Sequence, residues 1–81
     1  MPSMDEIEAR VTDALVSFGV ERDAIARDAS LDALDVDSLD VVELCEILRE
    51  EMGVDVEARD FNDVNTYGEV LDIIAARLPT S

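Results

Sequence analysis

The chain lacks histidine and lysine, and all six of its basic residues are arginines. General acid–base catalysis most often uses histidine, and a serine or cysteine nucleophile is commonly activated by a neighbouring base. A Ser-His, Cys-His or Ser-Lys pair cannot be assembled from these residues. We therefore expect that the protein is not itself an enzyme.

Cysteine, glycine and proline are also scarce. The single cysteine, Cys45, excludes an internal disulfide, and no apolar run is long enough for a membrane span or a signal peptide. The Met-Pro-Ser-Met start has no targeting character, so we expect a free-standing cytoplasmic polypeptide. With three glycines, two prolines and 48% hydrophobic residues, the composition is too apolar for a disordered tail and predicts a single folded domain over 1–81.

Negative charge dominates what is present. The sequence has 21 acidic residues against six arginines, which gives a formal net charge of -15. Such a field repels nucleic acid and anionic membranes and attracts basic protein surfaces. We therefore predict a monomer whose partners are proteins with basic docking surfaces, and neither nucleic acid nor a membrane.

The spacing of apolar residues predicts two helices in the first two thirds of the chain. The first begins after a Ser3 cap and ends at Gly19, and the second covers 38–52 and ends at Gly53. Between them, residues 20–37 have no sustained period and form a connection longer than is typical, which favours a functional loop. This loop has three spaced apolar anchors: Ile25, Leu31 and Leu34.

The last third of the chain predicts one short and one longer helix. The short turn lies around 58–64, and the longer helix follows Thr66, which forms a capping box with Glu69, and ends at Pro79. The expected fold is all-α: a small four-helix bundle with three longer helices, a short third helix and a long first loop.

The second predicted helix has two distinct faces. One is an apolar stripe expected in the core: Val41, Leu44, Cys45, Leu48 and Met52. On the other face, apolar side chains are interleaved with carboxylates where solvent is expected: Leu39, Val42, Glu43, Glu46, Ile47 and Glu50. Exposed apolar groups among acids fit a transient docking surface, in which charge sets orientation and a small apolar centre supplies contact.

Ser38 opens this helix within the sequence Asp37-Ser38-Leu39-Asp40. A helix N-terminus offers free backbone N–H groups and the positive end of the helix dipole, which accommodate a phosphate ester. Serine at this position is, however, most often only a helix cap. The sequence around it, from Leu34 to Leu44, resembles the phosphopantetheine attachment site of acyl carrier proteins, and the resemblance extends over nearly the whole chain.

This resemblance implies a site, a cofactor and partners. Ser38 would receive 4'-phosphopantetheine from coenzyme A through a phosphopantetheinyl transferase. The arm would hold acyl groups as thioesters for an acyltransferase, a ketosynthase or other acyl-processing enzymes. The acyl chain could withdraw into a cleft lined by the core stripe with Phe61 and Val64. The residues that match the family's partner-facing surface are Asp37, Leu39, Asp40, Val42, Glu43, Ile47 and Glu50.

Two positions depart from the family pattern. Asp35 stands where the family commonly has glycine, and Arg49 where it often has a further acid. Neither affects attachment at Ser38. Both favour specialised, polyketide-type metabolism over fatty acid biosynthesis, although the sequence itself does not identify the acyl group or the partner enzymes.

Three other interpretations remain. A calcium-binding loop starting at Asp35 would need an oxygen ligand at Leu39 and glycine at Asp40, so the spacing argues against it. A peptidyl or aminoacyl carrier protein of nonribosomal synthesis usually has a Gly-Gly-x-Ser site, whereas Asp37 precedes the serine here. The third is an unmodified acidic interaction module in which Ser38 is only a cap.

Overall fold

The computed structural model describes residues 3–78, and the regular secondary structure within them is helical. Three α-helices are present: α1 (Met4–Ser17), α2 (Ser38–Ile47) and α3 (Tyr67–Ala76). Short 3-10 helices lie at Arg22–Ala24 and Ala58–Phe61. Within these 76 described positions no strand forms beyond one isolated bridge. The predicted all-α fold with a long first loop is confirmed.

Helix α1 follows its sequence signals closely. The Ser3 side chain accepts a hydrogen bond from the backbone N–H of Glu6, and two acidic residues occupy the first turn. After the helix, Gly19 has a φ of 103°, in the left-handed region where glycine has no steric penalty. The buried stripe of α1 consists of Ile7, Val11, Ala14 and Leu15.

Helix α2 ends earlier than the predicted 38–52. The α-helical hydrogen bonds stop at Ile47, and the next five residues, Leu48–Met52, form a wider π-helical turn. The Leu48 carbonyl accepts the backbone N–H groups of both Gly53 and Val54, and Gly53 ends the turn with a φ of 68°. The predicted stop at Gly53 is therefore confirmed. The last turn before it is wider than a turn of α-helix.

The long loop is held by backbone pairing as well as by apolar anchors. Ser30 and Thr66 form the isolated antiparallel bridge, and the backbone N–H of Gly68 donates to the Arg27 carbonyl at 2.9 Å. A Cβ atom at position 68 would lie 2.8 Å from that carbonyl oxygen. Of the anchors, Leu34 is buried, while Ile25 and Leu31 are partly buried against the core. The loop therefore has a fixed path across the start of α3.

The second 3-10 helix and α3 both begin with capping boxes. Glu57 and Asp60 cap the 3-10 helix reciprocally, and Thr66 and Glu69 cap α3, as the sequence predicts for the latter. The short third helix is thus confirmed in place, as a 3-10 helix of four residues. The predicted stop at Pro79 lies outside the described residues.

One hydrophobic core joins all these elements. Within residues 3–78 it contains sixteen buried apolar residues and no buried charged one. Its fully enclosed members come from α1, α2, α3 and the connection after α2, so the core is shared rather than local. The predicted core stripe of α2 is confirmed at Leu44, Cys45 and Leu48, whereas Val41 and Met52 are only half-buried and pack against its edge.

Candidate functional site

Ser38 is the first residue of α2 and is exposed. The cap itself is Asp37, whose carboxylate accepts a hydrogen bond from the Asp40 backbone N–H at 2.9 Å, while Asp40 accepts from the Asp37 N–H at 3.3 Å. The Ser38 hydroxyl forms no hydrogen bond to any group in the described part of the chain. Helix capping therefore does not account for this serine, because Asp37 performs it.

The electrostatics around Ser38 are mixed. The N-terminus of α2 supplies about half a positive elementary charge and the unpaired N–H groups of its first turn. Asp35, Asp37 and Asp40 bring three carboxylates into the same short segment. The carboxylates outweigh the helix dipole, so free phosphate gains no net attraction here. The site suits a phosphate that is joined covalently to the hydroxyl.

An open groove of about 310 Å³ adjoins Ser38 and runs between α2 and the second 3-10 helix. It is lined by apolar side chains together with the polar residues Asp32, Asp37, Ser38 and Asn62. Phe61 and Val64, which the sequence predicts as cleft residues, both line it. Sequence reasoning missed the loop residues of the groove wall, Leu31, Asp32 and Val36, and also Asn62, because their approach to α2 depends on the path of the long loop.

A second space lies deeper, between the helices. Nine residues line it, eight of them aliphatic or phenylalanine and the ninth Tyr67, and they leave a free volume of only about 10 Å³. Four of the nine also line the groove beside Ser38: Leu31, Val36, Val41 and Phe61. These four side chains separate the open groove from the interior of the bundle.

The predicted partner face of α2 presents both acids and apolar groups. Leu39 is 76% exposed and Val42 is 42% exposed, and they are the large hydrophobic residues that stand out on the surface of residues 3–78. Asp37, Glu43 and Glu50 are exposed beside them, and Asp40 is half-buried. Ile47 differs from the expectation of an exposed side chain, because it is half-buried and packs against the core.

The arginines leave this face negative. Five of the six form ion pairs, with Glu51, Asp13, Asp72, Glu57 and Asp60 as their respective partners. Arg10 donates two hydrogen bonds to Glu51, which lowers the pKa of that carboxyl and raises the pKa of the guanidinium. The sixth, Arg49, donates to the Val56 carbonyl at 2.8 Å. Across residues 3–78, no arginine pairs with the acids that surround Ser38 and Leu39.

The side chains of Cys45 and Tyr67 are both buried in the core. Burial raises the pKa of the Cys45 thiol from 9.0 to about 11, so it stays protonated and unreactive at neutral pH. Burial also raises the pKa of Tyr67, whose hydroxyl lies 3.1 Å from the Thr12 hydroxyl. Cys45 thus behaves as the small buried hydrophobe that its helical position predicts.

The described residues form neither a metal-binding cluster nor a helix that could span a membrane. Among residues 3–78, no three histidine, cysteine, aspartate or glutamate side chains converge in a way that could hold a metal ion. None of the helices described for these residues is both long enough and apolar enough to cross a membrane.

A small acidic helical bundle, with a free exposed serine at a helix start and an adjoining groove, has the features of a carrier domain for a covalently attached group. The sequence matches the family model described as the phosphopantetheine attachment site over residues 9–74. The chain belongs to this family. Its cofactor is therefore covalently attached 4'-phosphopantetheine, and like other carrier domains it is not an enzyme. Such domains interact with phosphopantetheinyl transferases and with enzymes that process the carried group.

Proposed function

We propose that Ser38 carries the 4'-phosphopantetheine arm and that this protein presents acyl thioesters to enzymes of polyketide or fatty acid biosynthesis. The observation that carries the proposal is the exposed Ser38 hydroxyl, which has no hydrogen bond within residues 3–78 although a complete capping box surrounds it. A serine retained only as a cap would make the bond that Asp37 makes. The adjoining groove leaves room for an attached arm.

Attachment at Ser38 needs a partner enzyme. The Ser38 oxygen would form the new ester bond to the β-phosphorus of coenzyme A, and the bond from that phosphorus to 3',5'-ADP would break. Because the chain has neither histidine nor lysine, we expect the transferase to supply the base that takes the serine proton. When bound, the arm supplies a terminal thiol that holds an acyl group as a thioester.

The docking surface that we propose for the transferase and for acyl-processing enzymes is the acidic face of α2. Its members are Asp37, Leu39, Asp40, Val42, Glu43, Ile47 and Glu50. The unneutralised carboxylates support electrostatic steering of a basic partner, and the exposed Leu39 and Val42 side chains supply apolar contact at its centre. Half-buried Ile47 would contribute only the edge of its side chain.

We further favour a cytoplasmic, polyketide-type pathway. The two residues that support this pathway are Asp35, which replaces the family's usual glycine, and Arg49, which places an arginine where a further acid is common. An acyltransferase or a ketosynthase with a basic docking surface is the expected class of partner. The buried free thiol of Cys45 is compatible with a reducing compartment.

Intact mass spectrometry tests attachment directly. The purified chain is incubated with coenzyme A, magnesium and a broad-specificity phosphopantetheinyl transferase, and we expect a gain of one phosphopantetheine. Ser38→Ala should abolish the gain, whereas Ser17→Ala, at another exposed serine, should retain it. If the mass does not change, or if the gain survives Ser38→Ala, Ser38 is not the attachment residue.

A further inference from the structure

We propose that a pocket at the end of α1 binds one arginine side chain of the phosphopantetheinyl transferase that acts on Ser38. This pocket has a volume of about 140 Å³ and is lined by residues 18–21 and 33–35 together with Ala24. We call it the α1–loop pocket. The inference rests on the proposed attachment at Ser38, and it adds a contact that lies outside the acidic face of α2.

The α1–loop pocket lies close to Ser38. Asp35, an exposed residue of its lining, is three residues before Ser38, so their Cα atoms are at most about 11 Å apart. A standard protein interface covers about 800 Å² on each partner, which as a circular patch has a radius of about 16 Å. The Asp35 side of the pocket is therefore within reach of a transferase docked over Ser38.

Two carboxylates give the pocket a negative charge. Glu21 and Asp35 are both exposed, and within residues 3–78 neither forms an ion pair with an arginine. Arg22, which follows Glu21 in the sequence, is paired instead with Asp13 at 3.1 Å. The described residues therefore supply no cation to neutralise these two carboxylates.

The C-terminus of α1 is a second source of negative potential. The end of a helix carries about half a negative elementary charge, which a nearby cation stabilises. The last turn of α1 has no basic residue. The carbonyl groups of Phe18 and Gly19, two residues of the pocket lining, accept no backbone hydrogen bond from the described residues. A cation bound here would therefore gain from the helix end as well as from the carboxylates.

The remaining walls suit the aliphatic stem of an arginine. Val20 and Leu34 belong to the buried core, and Phe18 is half-buried beside them. The volume is about ten times the roughly 10–15 Å³ that one water molecule needs, which leaves room for a side chain. Because the acceptors lie on separate residues, the planar guanidinium with its five N–H donors fits them better than the compact ammonium of lysine.

A titration with small probes tests the pocket in the absence of the transferase. The isotope-labelled chain is titrated with N-acetyl-arginine amide or with N-acetyl-citrulline amide, which has nearly the same shape but no charge. We expect arginine to shift the backbone amide NMR signals of Gly19 and Ala33 at least about threefold more than citrulline does. Equal shifts with N-acetyl-lysine amide would contradict the assignment to a guanidinium.

A pair of charge variants connects the pocket to the transferase. Glu21→Gln removes a carboxylate at nearly constant size, and the Glu21 side chain makes no capping bond that the change would break. We expect this variant to halve the arginine-induced shifts and to lower kcat/KM for phosphopantetheinylation about threefold. Asp23→Asn makes the same change in charge at an exposed aspartate outside the lining, and both quantities should stay at their wild-type values.

A second pair of variants changes the space and not the charge. Ala24→Leu places a larger side chain in the lining, whereas Ala26→Leu makes the same change at an exposed alanine outside it. We expect only Ala24→Leu to lower kcat/KM for phosphopantetheinylation, again about threefold, because it occupies room that the arginine needs. Unchanged melting temperatures would confirm that all four variants are folded.

Two results would overturn the inference. One is an equal effect of Glu21→Gln and Asp23→Asn on kcat/KM, which would show that net charge and not the pocket governs the encounter. The other is an arginine probe that shifts Gly19 and Ala33 no more than citrulline does. Both results leave attachment at Ser38 intact, since the wild-type chain would still gain one phosphopantetheine by mass. Absence of that mass gain would instead overturn the attachment, and the inference with it.

Discussion

Asp35 is the only non-glycine residue with a positive φ, 58°, in the described chain. The left-handed backbone conformation costs an L-residue roughly 1–2 kcal/mol of conformational free energy. Aspartate tolerates this region better than most residues. This conformation suits the glycine that the resemblance to acyl carrier proteins implies at this position. Only the backbone shows that the path of the loop needs a positive φ here.

Substitutions at Asp35 should reveal the cost of its left-handed backbone conformation. We expect Asp35→Gly to change the free energy of unfolding by less than about 1 kcal/mol, since relief of strain offsets the larger entropy of the unfolded chain. Asp35→Val should destabilise by about 2 kcal/mol, because a β-branched residue fits this region poorly. Urea denaturation measures both. Asp28→Gly, at an exposed loop aspartate without positive φ, should destabilise by about 0.5–1 kcal/mol.

The buried thiol of Cys45 predicts a pH dependence of stability. Its pKa rises from 9.0 to about 11 on folding because burial disfavours the thiolate. The stabilisation is therefore fully present below pH 9.0 and is lost as the pH rises toward about 11. Burial raises the pKa of Tyr67 too, so the wild-type slope alone would not isolate the cysteine.

Cys45→Ala resolves the two contributions. The variant loses the thiol titration but keeps that of Tyr67, so its stability should fall less steeply than that of the wild type between pH 9.0 and about 11. The cavity left by the substitution lowers stability equally at every pH and does not alter the slope. Urea unfolding at several pH values gives both slopes. Identical slopes would mean that Cys45 is not shielded from solvent.

At the scale of elements, local chemistry predicted most of the fold. The Ser3 and Thr66 caps and the Gly53 stop were readable because each rests on hydrogen bonds between near neighbours. The π-helical turn Leu48–Met52 was not, since apolar periodicity over five residues does not distinguish it from an α-helical turn. Pairing of the loop with the start of α3 joins residues far apart in sequence and leaves no local pattern.

Gly68 tests how tightly the loop and α3 are joined. In Gly68→Ala the new Cβ would meet the Arg27 carbonyl oxygen at 2.8 Å, a backbone atom that moves only with the loop. We expect destabilisation of about 1–3 kcal/mol by urea denaturation, and faster amide exchange at Leu31, whose N–H donates to the Asn65 carbonyl beside the bridge.

A matched control for this clash is Gly53→Ala. Its Cβ meets nothing within 4 Å, so only the left-handed φ of 68° opposes the alanine, and the cost should be about 1 kcal/mol. Amide exchange at Leu31 should not change in the control. If Gly68→Ala also leaves Leu31 protected, the loop adapts to the new methyl group and is less fixed than its hydrogen bonds indicate.

At the scale of the whole molecule, charge is distributed unequally. The formal net charge is -15, and five arginines are engaged in ion pairs with other carboxylates, so none offsets the acids that flank Ser38. Composition predicted the sign of the field, and from it we expect partners with basic surfaces. It could not predict that the arginines would pair elsewhere, because the Arg10–Glu51 and Arg27–Asp72 pairs depend on the tertiary fold.

Reversal of one charge on the acidic face should distinguish a local docking surface from a general attraction. Glu43→Lys and Glu8→Lys change the net charge equally, at exposed positions on α2 and α1. If the face around Ser38 steers the transferase, Glu43→Lys should lower kcat/KM for phosphopantetheinylation roughly tenfold at low salt, mainly by raising KM. Glu8→Lys should keep kcat/KM within about twofold of the wild-type value. The difference should shrink as ionic strength rises, because screening weakens attraction between exposed charges. Equal effects of the two variants would mean that net charge, and not this face, governs the encounter.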